Sequence, residues 1–92
     1  MKPLFGREEE EKVVQAIRSG WVTQGPEVER FEQAVAKFVG AKHGIAVTSC
    51  TTGLHLALIA AGVETDDEVI CPRFSFIATA HVIRHTGATP VF

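Results

Sequence analysis

Apolar and polar positions follow two rhythms along this chain, and the change between them falls near residue 41. Before it, apolar residues recur every three or four positions, which gathers them on one side of a helix. Over residues 8–19 the stripe is narrow, Val13, Val14 and Ile17, behind four glutamates, Glu8, Glu9, Glu10 and Glu11. Negative charge is favoured there because the amino end of a helix is the positive pole of its dipole. Gly20 follows as a stop signal. Trp21-Val22-Thr23-Gln24-Gly25-Pro26 reads as a turn-rich linker. Pro26 suits the first position of a second helix, where its missing amide would have had no partner. Val28, Phe31, Val35 and Phe38 then repeat at helical spacing until Gly40.

After residue 41, short apolar runs of strand length alternate with helical patterns. Residues 44–48 predict a strand, Ser49-Cys50-Thr51-Thr52-Gly53 a loop, and the stretch on to Ala61 a helix. Leu54, Leu56, Leu58 and Ile59 make that helix apolar nearly all round, as befits one lying between layers. Residues 68–71 predict a second strand, ended by Pro72. A helix is expected over residues 75–86, burying Phe76, Ile77, Ala80 and Ile83, and a third strand over 89–92. Strands alternating with helices through short loops predict an α/β fold with parallel strands and crossover helices. The expected organisation is a helical segment over residues 1–40 and the start of an α/β domain over 41–92. Stopping on an apolar strand, with no turn or polar cap, points to a truncated domain.

Composition narrows the functional classes. A chain of 92 residues makes one domain at most, with a marginal core of its own. With 46% hydrophobic and 22% charged residues it reads as globular rather than disordered. A net charge of −2 with scattered Lys and Arg leaves no footprint for nucleic acid or an acidic membrane. The start of the chain lacks an apolar stretch, so no signal peptide is expected, and no run approaches a membrane span. The expected compartment is the cytoplasm. Cys50 and Cys71 form no CxxC pair and are expected as buried, reduced thiols.

Two stretches carry candidate chemistry. Thr48-Ser49-Cys50-Thr51-Thr52-Gly53 lies between a predicted strand and helix. A helix start offers unpartnered amides and a positive dipole end, which together attract phosphate. Small residues admit a ligand to the backbone, and the hydroxyls of Ser49, Thr51 and Thr52 can add donors; the alternative is that one of them only caps the helix. Neither a Walker lysine nor G-x-G-x-x-G is present, so nucleotide-triphosphate and dinucleotide binding are unsupported. Pro72-Arg73-Phe74-Ser75-Phe76 also follows a strand, at the sheet edge where α/β folds collect ligands. An aromatic there can stack on a planar ring or merely fill space. His81 and His85 are one helical turn apart, but no carboxylate or cysteine nearby completes a metal set, so no metal is expected. His43 and His55 have no triad context, and Cys50 has no identifiable base, so a hydrolase is unsupported. Asp66 and Asp67 sit in a loop read as a solvated turn on the opposite edge.

Four segments in order carry a resemblance: Ser19 to Pro26, then Phe31-Glu32, then Val47 to Leu58, then Pro72 to Ala80. Together they resemble the opening of the DegT/DnrJ-type sugar aminotransferases, which are fold type I pyridoxal-phosphate enzymes, over essentially the whole chain. One small departure is His81, where many relatives have asparagine. The resemblance implies the amino-terminal part of a three-layer α/β/α large domain, preceded by two helices. It implies that Cys50, Thr51 and Thr52 hold the phosphate of pyridoxal 5′-phosphate and that Phe76 stacks on its pyridine ring. It places Trp21 and Thr23 near the substrate, often close to a dimer partner. The implied reaction moves an amino group, usually from glutamate, onto a nucleotide-linked keto sugar, in a homodimer. It needs a lysine that holds the cofactor and moves the proton, and an acidic residue at the pyridine nitrogen. Lys2, Lys12, Lys37 and Lys42 do not match that lysine, so the 92-residue chain alone is expected to be inactive. The first strand is implied to lie at one sheet edge and the next two together at the far side. Strands absent from this chain would separate them, leaving apolar faces open to association. Two alternatives stand beside this reading: a sugar dehydratase on the same scaffold, and a non-catalytic phosphate-binding module.

Overall fold

Local chemistry explains the first two helices. In the computed structural model, which describes residues 2–92, α1 spans Arg7–Ser19. Its first turn carries Glu8, Glu9 and Glu10, and Glu9 Oε2 accepts a hydrogen bond from the Gly6 amide at 2.6 Å. The side chain of Glu9 thereby satisfies a donor just ahead of the helix, as in a capping box. Helix α2, Pro26–Val39, opens with Pro26 in its first turn. Gly20 and Gly40, with φ of 77° and 70°, end the two helices in the left-handed conformation. The ion pairs Arg7–Glu11 and Arg30–Glu27 are exposed and contribute little.

The chain divides into two compact units, one ending at Ala46 and the other Val47–Phe92. Among the described residues of the first, only Ala36 of α2 is buried; Phe31 and Phe38 are exposed in the chain by itself. Residues 44–48, expected as a strand, pair with no other strand among the described residues. A β-ladder needs a neighbour to receive its backbone groups, and an apolar run without one stays irregular. The amide of Ala46 instead donates to Glu32 Oε1 of α2, at 2.7 Å.

The second unit runs α3 (Cys50–Ala60), β1 (Glu68–Ile70), α4 (Ala78–His85) and β2 (Thr89–Val91). Two strands form where three were expected, and they pair in parallel with Glu68 opposite Thr89, Val69 opposite Pro90 and Ile70 opposite Val91. The parallel pairing requires α4 to cross from the carboxyl end of β1 back to the amino end of β2. The core gathers Cys71, Ile83 and Ala88, with Leu58, Val63 and Val69 packed on it.

Four expectations change here. Helix α3 begins at Cys50, so the expected loop is its first turn; Ser49 is the N-cap and its Oγ accepts from the Thr52 amide at 3.1 Å. Helix α4 begins at Ala78 rather than near 75, and its buried residues are Ala78, Val82 and Ile83. Phe76 and Ile77, expected inside, are 77% and 60% exposed, because they precede the helix and lie off its inner face. Cys71 is buried as expected, whereas Cys50 is exposed at the first position of α3.

The two ends of the strand pair can be told apart. Helix α3 leads into β1 through a short loop in which Thr65 lies against Gly87, the residue between α4 and β2. That loop, with Gly87, therefore marks the amino edge of the strands. Helices α3 and α4 lie along one another, and the His55 and His85 rings are 5.7 Å apart. Both helices thus end toward the amino edge and start toward the carboxyl edge.

Candidate functional site

Both stretches that the sequence singled out lie toward the carboxyl edge. At the start of α3, Thr52 Oγ1 lies 2.9 Å from Ser49 Oγ and 3.3 Å from Thr48 Oγ1. The amides of Cys50 and Thr51, at the first two helical positions, have no intrahelical partner by the geometry of the first turn. No acidic residue sits in that turn, whereas α1 and α2 both begin with glutamates. Amides, three hydroxyls and an uncompensated dipole end form a donor-rich set whose chemistry fits a phosphate ester. Gly53 follows directly, and a Cβ there would come within 3.3 Å of Val47 Cγ2, so the turn stays close against the incoming segment. Replacing Ser49 with alanine removes the cap and is expected to lower stability by about 1 kcal/mol. A urea titration of the protein would show it as an earlier midpoint with an unchanged slope.

Phe76 belongs to the segment between β1 and α4 at the same edge, its carbonyl accepting from the Thr79 amide at 3.0 Å. Ser75 Oγ and Thr79 Oγ1, 3.1 Å apart, close the start of α4. With Phe74 fully exposed and Phe76 largely so, the faces of two aromatic rings are free in the chain by itself.

Trp21 and Thr23 lie in the first unit, on a cleft of about 260 Å³ that they share with Gln15, Ser19, Glu27 and Arg30. Trp21 is held down: its amide donates to Ser19 Oγ at 3.2 Å, and a Cβ on Gly25 would come within 3.0 Å of its Cε3. Reading the linker alone missed Gln15 and Arg30. The signal was available, since Gln15 is one helical turn before Ser19 and Arg30 one turn after Pro26 and Glu27. His81 and His85 have ring centroids 6.5 Å apart. Among the described residues no group of three or more His, Cys, Asp or Glu is placed to hold a metal ion.

Comparison with known proteins decides the family. The model of the DegT/DnrJ/EryC1/StrS aminotransferase family matches residues 3–92. The chain belongs to this family. It is 53% identical over 90 residues to the spore coat polysaccharide biosynthesis protein SpsC of Bacillus subtilis, covering 98% of this chain and 23% of SpsC. Its fold superimposes on a putative sugar aminotransferase from Streptococcus pneumoniae, Spr1654 in its PLP form, with a TM-score of 0.93 and 36% identity. That match covers 97% of this chain and 23% of the other. DesV of S. venezuelae, solved in complex with a ketimine intermediate, gives a TM-score of 0.88 at 37% identity, over 91% of this chain and 23% of DesV. The α/β fold is therefore that of the fold type I aminotransferases, and the chain spans about a quarter of the length of these relatives.

Proposed function

We propose that the protein carrying this chain is a pyridoxal-phosphate-dependent sugar aminotransferase, and that residues 41–92 open its cofactor-binding domain behind a helical segment, 1–40. The observation that carries the reading is the donor set at the start of α3, at the same strand edge as Phe76, in a chain of this family. The amides of Cys50 and Thr51 and the hydroxyls of Ser49, Thr51 and Thr52 would hold the phosphate. Phe76 would lie against the ring. When bound, the cofactor supplies an electron sink for moving an amino group. The part of this chain is to bind and orient: a phosphate fixed by amides cannot pivot, and an aromatic face limits the ring to one plane. Trp21 and Thr23, with Gln15 and Arg30, would meet the substrate, for which we propose a nucleotide-linked keto sugar with glutamate as the amino donor. The relation to a spore coat polysaccharide biosynthesis protein supports the sugar. We further assign the protein to the cytoplasm as a homodimer, and expect the 92 residues alone to be inactive.

The test uses the whole protein, pyridoxal 5′-phosphate, glutamate and a nucleotide-linked keto sugar. Cofactor should stay bound through desalting, and 2-oxoglutarate should appear in step with the aminated sugar. Changing Thr51 and Thr52 together to valine should weaken cofactor binding at least about tenfold, since two hydroxyl donors to a charged group are lost. Consumption of the sugar without 2-oxoglutarate would instead indicate dehydration, and failure to retain cofactor would leave only phosphate binding.

A further inference from the structure

We propose that Glu32 is a positioning residue for the phosphate-holding turn, anchoring the backbone that feeds it; the inference rests on the cofactor reading above. Glu32 Oε1 accepts the Ala46 amide at 2.7 Å in half-buried surroundings, across fourteen positions of sequence. Every other side-chain hydrogen bond among the described residues joins positions four or fewer apart. The carboxylate thus serves a neutral amide far along the chain and forms no ion pair among the described residues. A charged acceptor makes such a bond stronger than a neutral one would.

A second contact holds the same backbone. A Cβ on Gly44 would come within 2.6 Å of the Glu32 carbonyl oxygen and 3.5 Å of Ala36 Cβ. The main chain at Gly44 therefore rests directly on α2, and any side chain would lift it away. Contacts at Gly44 and Ala46 together pin a segment that lacks a strand partner among the described residues. Ala46 precedes the cap Ser49 by three residues, a reach of roughly 11 Å at full extension. Fixing Ala46 removes conformational freedom that the Thr48–Thr52 turn would otherwise lose on binding phosphate.

Pyridoxal 5′-phosphate and pyridoxal differ only in the phosphate, so their affinity ratio isolates what the turn contributes. In the whole protein, Glu32→Ala is expected to lower that ratio by about tenfold while leaving pyridoxal affinity unchanged. Glu32→Gln should restore it, since the amide oxygen can accept the same N–H. Gly44→Ala, which displaces the backbone by a different route, should behave like Glu32→Ala. Should Glu32→Ala fail to fold by circular dichroism, Glu32→Asp, one methylene shorter, takes its place with the same expected direction. A folded Glu32→Ala or Glu32→Asp with the wild-type ratio, or an equal loss for both ligands, overturns the positioning role alone. A wild-type protein without preference for the phosphate ester overturns the cofactor reading, and this inference with it.

Discussion

Replacing Gly87 with alanine is expected to destabilise the protein by at least about 2 kcal/mol, from two penalties at one atom. The first is backbone: φ at Gly87 is +88°, where the Cβ of an L-residue crowds the neighbouring peptide group. The second is steric. An added Cβ would lie 2.4 Å from Thr65 Oγ1 and 3.2 Å from Thr65 Cα and Cβ, in the loop that feeds β1. The same turn is knitted by the Gly87 amide donating to Arg84 O at 3.1 Å and Thr86 Oγ1 donating to Ile83 O at 2.8 Å. Moving it would disturb the amino edge of both strands. Urea unfolding of wild type, Gly87→Ala, Thr65→Ala and the double variant separates the terms. Thr65→Ala should recover part of the loss, because it removes the closest atom but leaves the positive φ. A Gly87→Ala midpoint indistinguishable from wild type would contradict the geometry of this turn.

The second large effect belongs to Ile83, which is 2% exposed and lies between Cys71 and Ala88, with Leu58 of α3 and Val69 of β1 on the same cluster. It packs α4 against Val69 of β1 and against Cys71 and Ala88, which flank the strands. Ile83→Ala should cost about 2–5 kcal/mol, combining lost transfer free energy with a cavity that the small neighbours Cys71 and Ala88 cannot fill. Ile83→Val removes one methyl and should cost about 0.5–1.5 kcal/mol. The graded pair matters: a loss that grows from Val to Ala marks a cavity, whereas comparable losses would mean the neighbours relax into the space. Calorimetric melting of the holoprotein and the cofactor-free protein reads the effect in both states.

Much of the candidate site is legible in residue type and order alone. Ser49, Thr51 and Thr52 ahead of an apolar helix, and Phe76 after Pro72, are signals of that kind. Their common edge follows from the parallel pairing of β1 and β2 together with the packing of α3 along α4. Residue order does not reveal where the hydroxyls end and the helix begins. Ser49 competes for the Thr52 amide as a cap, and that contest sets the start of α3 at Cys50. The inner face of α4 departs from its hydrophobic pattern for a related reason. Phe76 and Ile77 have the right hydrophobicity, but the segment 75–77 is not helical, so their periodicity counts for nothing.

What the sequence determined by itself is what depends on neighbours a few bonds away. Glycines at 20 and 40, proline at 26 and acidic first turns set the extents of α1 and α2 closely, because capping and dipole terms act within one helical turn. Apolar runs at 68–71 and 89–92 became β1 and β2 because each had the other to bond. Residues 44–48 have a similar apolar character and no such partner among the described residues, so the pattern alone could not decide them. Only the tertiary structure showed the Glu32 carboxylate on the Ala46 amide and the Gly87 turn against Thr65. Each of these is a meeting of atoms distant in sequence, and no local propensity encodes a meeting.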